Sequence, residues 1–243
     1  MNTRTLERFY DDVNLRECAA TVLQHDERGL MTDVTVFYPN GGGQPGDVGQ
    51  VRLEDGRSIA IINTRRDRES REILHQLEPD SPHLPVGSKI RLQLDWPRRY
   101  RNMRMHTCMH LLSAVVKAGV TGGDLNDQRG RLDFDTGGEP LDRNEIEAQL
   151  RQLIEADLPI HIRSMSGTEL AARPELIKTM AVQPPLHLPE IRLIEIENTD
   201  LQPCGGTHVS HTAEIGAVRI TKIANKGAHN RRVTLAFVDL EQA

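Results

Sequence analysis

Two pairs of residues with metal-binding side chains, far apart in the chain, constrain the fold of this protein most. The segment MHTCMHLL (105–112) places His106 and His110 four residues apart. The segment PCGGTHVSHTAEIG (203–216) places Cys204 four residues before His208. In a helix, residues i and i+4 share a face, so the two histidines would point the same way. A fold that uses both pairs for one ion must bring these two segments together.

Each pair alone has a plainer explanation. Histidines at this spacing also occur as packed or surface residues, and Thr107 stands where an HExxH zinc protease has its glutamate base. The glycines after Cys204 indicate a tight loop, which can equally be a turn beside a buried cysteine. Taken together, one thiolate and three imidazoles form a zinc-type ligand set. His211 is a near neighbour, but the spacing favours His208, and Cys108 points away from the two histidines into the apolar stripe.

Composition and charge exclude several classes of protein. The chain has 243 residues, enough for one large domain or two ordinary ones. Its net charge of −5 argues against a general nucleic-acid binder, so contact with a nucleic acid must use local basic patches. Three cysteines give no disulfide framework and suit a reducing cytosol. The sequence shows no signal peptide and no apolar run of the ~20 residues that a membrane span needs. We therefore expect a cytoplasmic protein without a membrane partner.

The secondary-structure pattern changes near residue 96. Residues 1–95 contain short strand-like runs, such as DVTVFY (33–38) and KIRLQLDW (89–96), between turn-rich segments, which predicts a small β-barrel-like module. Asp95 can then cap a helix that carries the histidine pair, and Gly119 can end it. We accordingly predict two domains, 1–95 and 96–243.

The second domain is predicted to mix helices and strands. Asp142 and Glu145 resemble a capping box that opens a helix ending near Asp157. The predicted strands are GRLDFD (130–135), IHIRSM (160–165), IRLIEI (191–196), AVRITKIA (217–224) and RRVTLAFVD (231–239). Because helices and strands do not alternate strictly, an α+β fold with antiparallel sheet is favoured over a parallel sheet.

At these motifs the chain resembles a known family. HTCMHLL together with CGGTHVSHTAEIG is similar to the editing domain of alanyl-tRNA synthetase and to its free-standing relatives, the AlaX-type proteins. VFYPNGGGQPGDVG (36–49) resembles the glycine-rich signature before that domain, and KGAHNRRV (226–233) resembles its closing segment. The chain has no room for a class II aminoacylation domain, which indicates the free-standing, medium-length form. In QPCGGTH the residue before the cysteine departs from the acidic residue often found there in the family.

The resemblance implies an activity and a cofactor. The expected reaction is hydrolysis of the ester that joins a wrong amino acid, chiefly serine and also glycine as a candidate, to alanine tRNA. By motif position, the zinc ligands would be His106, His110, Cys204 and His208. Zinc can either activate water or hold the substrate, and the sequence does not choose between these roles. Four protein ligands are typical of a closed structural site, whereas catalysis needs an open position, so one ligand, such as His208, would be loose or the metal would expand its coordination.

Three further groups of residues are candidates for substrate contact. Gly41, Gly42, Gly43 and Gln44 form either a simple turn or a loop close to the terminal adenosine. Arg98 and Arg101, just before the first ligand, belong either to a solvated helix start or to a contact with the acceptor-end phosphates of tRNA(Ala). The resemblance also implies a threonine that reads the serine hydroxyl, and Thr121 in GVTGGDL is our candidate. An ordinary loop threonine is the alternative.

Two other functions remain open at this point. The first is a non-catalytic tRNA-binding or protein-binding module whose zinc is structural, which the count of four ligands would suit. The second is a zinc hydrolase of a small ester or amide, which would act without tRNA.

Overall fold

The computed structural model describes residues 4–180 and 183–238. The chain divides into two compact units, residues 1–100 and 101–243, and the division falls inside helix α1 (Trp96–Val116). Both units consist mainly of antiparallel sheet with few helices, so the predicted α+β class is confirmed. The assignment of functions to the domains 1–95 and 96–243 stays a prediction.

The first unit contains a closed barrel of six antiparallel strands in the order β2-β3-β7-β6-β5-β8, so the predicted barrel is confirmed. The strands of this unit are β1 (Leu6–Glu7), β2 (Glu17–Asp26), β3 (Gly29–Thr32), β4 (Val34–Thr35), β5 (Gly49–Leu53), β6 (Ser58–Arg66), β7 (Ile73–Leu77) and β8 (Lys89–Leu94). Along β8, Ile90, Leu92 and Leu94 are buried between more exposed neighbours. This period of two is what a barrel wall with a filled interior requires.

Two strand predictions in this unit need correction at their ends. KIRLQLDW was expected to be strand throughout, but β8 ends at Leu94 and Trp96 already begins α1. DVTVFY contributes only β4, which pairs in parallel with β1, and Val36 to Tyr38 are buried without belonging to a strand. The reason is that Asp47 and Arg99 take up backbone groups of this segment, since Tyr38 N donates to Asp47 Oδ2 and Arg99 Nη2 donates to Val36 O.

Helix α1 begins as predicted and ends differently. The Asp95 carboxylate accepts a hydrogen bond from Arg98 N at 3.1 Å, which is the capping contact expected from the sequence. At the other end, Lys117 takes the left-handed conformation (φ 53°) that was expected of a glycine. Gly119 does not end the helix, because it is already the first residue of the next strand.

A buried ion pair lies where the glycine-rich signature meets the start of α1. The Arg99 and Asp47 side chains are almost fully buried. Arg99 Nε lies 3.0 and 2.8 Å from the two carboxylate oxygens, and Nη2 also contacts Oδ2. Arg99 Nη2 donates to Val36 O at 2.8 Å as well. Asp47 therefore has a structural partner that explains why an acidic residue follows the glycines.

The second unit contains two antiparallel sheets. Its strands are β9 (Gly119–Leu125), β10 (Arg129–Asp135), β11 (Ile160–Met165), β12 (Ile191–Ile196), β13 (Asp200–Pro203), β14 (Val218–Asn225) and β15 (Asn230–Phe237). One sheet has the order β14-β15-β10-β9 and the other β11-β12-β13. Its further helices are α2 (Arg143–Glu155) and α3 (Gly167–Ala171). The Asp142 carboxylate caps α2 as predicted, accepting from Glu145 N at 3.0 Å.

Helix α1 packs against the four-stranded sheet through two methionines. A Cβ at Gly130 of β10 would lie 2.8 Å from Met109 Sδ and 2.9 Å from Met105 Cγ and Sδ. The missing side chain at Gly130 thus leaves the space that these two side chains fill. The methionine pair and the histidine pair are each offset by one residue, so the histidines point about 100° around the helix from this contact.

Among the described residues, no helix is both long and apolar enough to cross a membrane.

Candidate metal centre

His106 and His110 lie side by side on α1, and both are buried. Their ring centroids are 5.4 Å apart, as the four-residue spacing predicts for a helix. The ring of His208 lies 4.4 Å from that of His106 and 4.6 Å from that of His110. Three imidazoles from two distant parts of the chain therefore meet in one place.

The loop after β13 brings Cys204 to the three rings. Cys204 Sγ is 3.6 Å from His106 Nε2 and 3.3 Å from His208 Nε2. Gly206 N lies 3.3 Å from the sulfur, in position to donate to it. Arg192 Nη1 donates to Cys204 O and Gly206 O at 2.7 and 3.0 Å, so it holds the loop closed. The two glycines serve the tight loop that the sequence indicated.

The four side chains fit a metal ion of the zinc type. One ligand atom from each of His106, His110, Cys204 and His208 can be chosen so that all lie within 4.8 Å of one another. In a tetrahedral site, Zn–N and Zn–S bonds of about 2.1 and 2.3 Å put sulfur and nitrogen about 3.6 Å apart. The distance of 3.6 Å from Cys204 Sγ to His106 Nε2 equals this value, and the distance of 3.3 Å to His208 Nε2 is somewhat shorter. The structure thus brings together all four residues that the sequence paired.

The protonation states of Cys204 and His208 also suit metal binding. Burial alone would raise the pKa of the Cys204 thiol, but His106 and His208 hold it well below its usual value. Burial and the neighbouring His106 lower the pKa of His208 to about 3, so this imidazole is neutral. Cys108, by contrast, has a pKa raised to about 12 by burial. Metals bind thiolate and neutral imidazole, so Cys204 and not Cys108 is prepared as a ligand.

Three residues behind the ligands were not found from the sequence. The Asp200 carboxylate lies 3.0 Å from His110 Nδ1, and Lys178 Nζ forms an ion pair with its other oxygen. Thr107 Oγ1 lies 3.1 Å from His208 Nδ1. Burial alone would lower the pKa of His110, but hydrogen bonds and charge interactions with Asp200 and Cys204 together raise it to about 9, so metal binding must displace a proton from this imidazole. The available signals were weak, because Asp200 merely precedes Cys204 by four residues and Thr107 stands between the histidines.

His211 takes no part in the cluster of described residues. Its Nδ1 lies 3.3 Å from Asp157 O, and half of its side chain is exposed. The spacing argument that preferred His208 over His211 agrees with this placement.

The glycine-rich segment forms a two-residue hairpin turn. Gly41 N and O bond to Gln44 O and N at 3.1 and 3.0 Å, and Gly42 and Gly43 have φ values of 57° and 79°. Two consecutive positive φ values are typical of a type I′ turn, for which glycine is the favoured residue. Gly42 and Gly43 are exposed and Gln44 is buried. The turn is therefore established, and a contact with substrate stays a prediction.

The arginines at the start of α1 differ in their surroundings. Arg99 is buried in its ion pair, and Arg104 donates to Ile215 O through Nε and Nη2. Arg98 Nη1 donates to Gly46 O at 2.9 Å. Arg101 is partly exposed, and its guanidinium makes no hydrogen bond or ion pair to residues 4–180 or 183–238. Within the described residues the guanidinium of Arg98 is thus engaged and that of Arg101 is not, and a contact of either arginine with tRNA stays a prediction.

Thr121, the proposed reader of the serine hydroxyl, lies in strand β9 and not in a loop. Its Oγ1 is 3.2 Å from Asp133 O and 3.1 Å from Asn230 Oδ1. It stands at a bulge, where the pairing of β10 with β9 shifts between Asp133 and Phe134. Bulges redirect side chains and are frequent beside functional sites. Its role in recognition stays a prediction.

Two family models match separate parts of the chain. Residues 191–234 match the model described as threonyl and alanyl tRNA synthetase second additional domain. Residues 5–98 match the model described as tRNA synthetases class II (A). The first range contains Cys204 and His208, and the second covers the barrel.

Individual relatives match over almost the whole chain. The alanyl-tRNA editing protein AlaX-M of Methanosarcina barkeri is 36% identical over 242 residues, which cover 95% of this chain and 98% of the relative. AlaX-M of Saccharolobus solfataricus is 32% identical over 233 residues, covering 94% and 97%. The alanine–tRNA ligase of Pyrobaculum arsenaticum is 33% identical over 233 residues, covering 90% of this chain and 25% of the ligase. The similarity therefore spans nearly the full length of two editing proteins and a quarter of a ligase.

Proposed function

We propose a function from the premise that this chain belongs to the AlaX family of alanyl-tRNA editing proteins. The proposed function is zinc-dependent deacylation of seryl-tRNA(Ala). The observation that carries the proposal is the buried cluster of three histidines and one cysteine at metal-binding distances. Glycyl-tRNA(Ala) is the second candidate substrate. The acceptor end of tRNA(Ala) is the proposed partner, and the cytoplasm is the proposed location.

The proposed reaction is hydrolysis of the aminoacyl ester. Water adds to the acyl carbon, the bond from that carbon to the ribose oxygen breaks, and the proton passes to the ribose oxygen. The products are free serine and uncharged tRNA(Ala). When bound, a zinc ion would supply a Lewis acid for activating water or for holding the substrate's polar groups.

The residues of this chain contribute charge and orientation to that reaction. The Cys204 thiolate brings one negative charge and the three histidines bring none when neutral, so a divalent ion would keep a net positive charge. A positive centre favours the oxyanion that develops during ester hydrolysis. Arg192 donates to the carbonyl groups of Cys204 and Gly206, which holds the loop that carries the sulfur.

A binding module with a structural metal is the second candidate function. The observation that favours it is the presence of four protein donors, because closed four-ligand sites are typically structural. Such a module would bind tRNA and leave the ester intact. The two functions therefore differ in whether serine is released.

The experiment that decides is release of serine from seryl-tRNA(Ala) by the purified protein, with and without a chelator. We expect hydrolysis that stops on chelation and returns when Zn²⁺ is added back. Bound tRNA with no serine released would instead support the binding module. Equal hydrolysis of a small seryl ester without tRNA would support a general esterase, and glycyl-tRNA(Ala) tests the second substrate.

Thr121→Val tests the reading of the serine hydroxyl. An apolar pocket separates substrates that differ by one hydroxyl by ~100-fold at best, whereas a pocket that hydrogen-bonds the hydroxyl reaches roughly 10⁴. We expect Thr121→Val to slow seryl-tRNA hydrolysis and to narrow the serine-to-alanine rate ratio toward ~100-fold. The measurement is both rates in parallel, with zinc content as the control. A ratio equal to that of the wild type would exclude Thr121 as the reader.

Arg101→Ala tests the contact with tRNA. Loss of one phosphate contact should raise the KM for seryl-tRNA(Ala), leave kcat nearly unchanged and flatten the dependence of binding on salt by about one unit of slope. Arg98→Ala should have the smaller effect, because Arg98 already donates to Gly46 O. An unchanged salt slope in the double variant would remove both arginines from the proposed interface.

The exposed turn at Gly42 and Gly43 is proposed as a second contact with the tRNA substrate.

A further inference from the structure

Behind the candidate metal centre, a buried carboxylate connects one ligand to a lysine. Asp200 is the first residue of β13, and its side chain is fully buried. Oδ2 lies 3.0 Å from His110 Nδ1 and also accepts from Gln202 Nε2 at 2.7 Å. Oδ1 forms an ion pair with Lys178 Nζ. Both carboxylate oxygens are therefore engaged by protein groups.

The contact between Asp200 and His110 determines which ring nitrogen can bind a metal. A neutral imidazole carries its proton on one nitrogen and a lone pair on the other. The carboxylate accepts the proton on Nδ1, which leaves the lone pair on Nε2 for the centre. A carboxylate behind a histidine also makes the opposite nitrogen a stronger donor and holds the ring in one orientation.

The partner of His208 is a neutral hydroxyl, whereas that of His110 is a carboxylate. Thr107 Oγ1 lies 3.1 Å from His208 Nδ1 and also accepts from Val209 N at 3.4 Å. A hydroxyl can hold the same tautomer, but it has no charge, and hydrogen bonds to a charged acceptor are about twice as strong as neutral ones. The support behind the ligands is therefore unequal, with the stronger contact at His110.

Lys178 is suited to keep the Asp200 carboxylate in place. Burying a carboxylate without a partner is costly, and an adjacent ammonium group reduces that cost. The side chain of Lys178 is 24% exposed, so its charge lies between solvent and the buried carboxylate. Its backbone is anchored to β9, because Val120 N donates to Lys178 O at 2.9 Å and Met180 N donates to Val120 O at 2.7 Å.

We propose that Asp200 is a positioning residue of the metal centre, that it orients His110 for metal binding, and that Lys178 holds its carboxylate for this task. The inference rests on the proposed function in one respect, since it presumes that the cluster holds a metal. It assigns Asp200 and Lys178 no contact with substrate. Their effect is on how tightly the centre retains its ion.

The test measures Zn²⁺ affinity by competition with a chelator, without any substrate. Asp200→Asn keeps the size of the side chain and removes its charge, and we expect affinity to fall about 10- to 100-fold. Lys178→Met should lower affinity by about tenfold, at the small end of that range, and Lys178→Arg should restore it. Thr107→Val should have a smaller effect than Asp200→Asn.

Matched controls come from the same unit. Asp133→Asn removes a carboxylate that pairs with Arg232 at 2.6 Å, outside the cluster, and should leave zinc affinity unchanged. Lys222→Met removes an exposed lysine and should do the same. Urea unfolding of the metal-free variants separates positioning from a general structural role. A residue with only a structural role would lower the free energy of unfolding, but the folded variant would bind Zn²⁺ with the affinity of the wild type.

The outcomes distinguish this inference from the function on which it rests. Failure of the wild-type protein to bind Zn²⁺ would overturn the zinc centre itself and the inference with it. Zinc binding by the wild type, with equal affinities in Asp200→Asn and Asp133→Asn, would overturn only the role of Asp200. If Asp200→Asn does not fold, Lys178→Met is the deciding variant. A Zn²⁺ affinity equal to that of Lys222→Met would contradict the proposed role of Lys178 and Asp200 in orienting His110.

Discussion

We expect Cys204→Ala to lose the proposed metal and nearly all of the proposed hydrolytic activity. The thiolate is the only negatively charged donor among the four proposed ligands, and its sulfur lies 3.6 and 3.3 Å from two imidazole nitrogens. Its loss should weaken metal binding by more than the 10- to 100-fold typical of outer partners. A Lewis acid contributes several kcal/mol to the transition state, so the rate should fall by about 10³-fold. Metal content and the single-turnover rate measure both effects.

Cys108→Ala is the matched control for that variant. Cys108 is fully buried and lies outside the cluster, although it stands between the two ligand histidines in sequence. Its removal should lower the stability modestly and leave one zinc per chain with near-normal activity. Full metal occupancy in Cys204→Ala, or metal loss in Cys108→Ala, would show that the ligand assignment is wrong.

Arg99→Met will destabilise the barrel unit more than any surface arginine substitution. The Asp47 carboxylate would remain buried without its guanidinium, and removal of one partner from a buried ion pair typically costs about 3–5 kcal/mol. The carbonyl of Val36 would lose a donor as well. Urea unfolding followed by the fluorescence of Trp96, the only tryptophan in the chain, measures the change in the free energy of unfolding.

Two further variants are the controls for Arg99→Met. Arg91→Met breaks a pair with Glu17 whose side chains are 52% and 45% exposed, and such pairs contribute about 1 kcal/mol or less. The double variant with Asp47→Leu removes both buried charges and should recover part of the lost stability. Equal effects of Arg99→Met and Arg91→Met would refute the structural role of the buried pair.

The elements that the sequence predicted best have strong local signals. Strands β11 and β12 have the predicted ends, because each is a short β-branched run beside turn residues. Asp95 and Asp142 cap their helices, since a carboxylate next to the first free N–H groups is a local contact. The spacing of His106 and His110 on one helix face follows from helix geometry alone.

The elements that were missed depend on distant partners. Strand β9 was not among the predicted strands, because Gly122 and Gly123 have low strand propensity. Its ladder with β10 and the backbone bonds of Val120 to Lys178 O and Met180 N outweigh that local preference. Arg99 stands between Arg98 and Arg101 in the sequence, and only the structure shows that it is buried and paired with Asp47.

The sequence by itself determined the chemistry available to this protein and much of its local structure. It specified the donor types, their four-residue spacing, the helix that carries two of them and the glycine turn. Only the tertiary structure decided that the two pairs meet, that His211 stays outside, and that Asp200, Lys178 and Thr107 stand behind the candidate ligands. The physical reason is the sequence separation of the residues that make contact. Caps, turns and helix faces depend on neighbours within about one helical turn. The centre depends on strand pairing and burial between segments far apart in the chain, which no local pattern encodes.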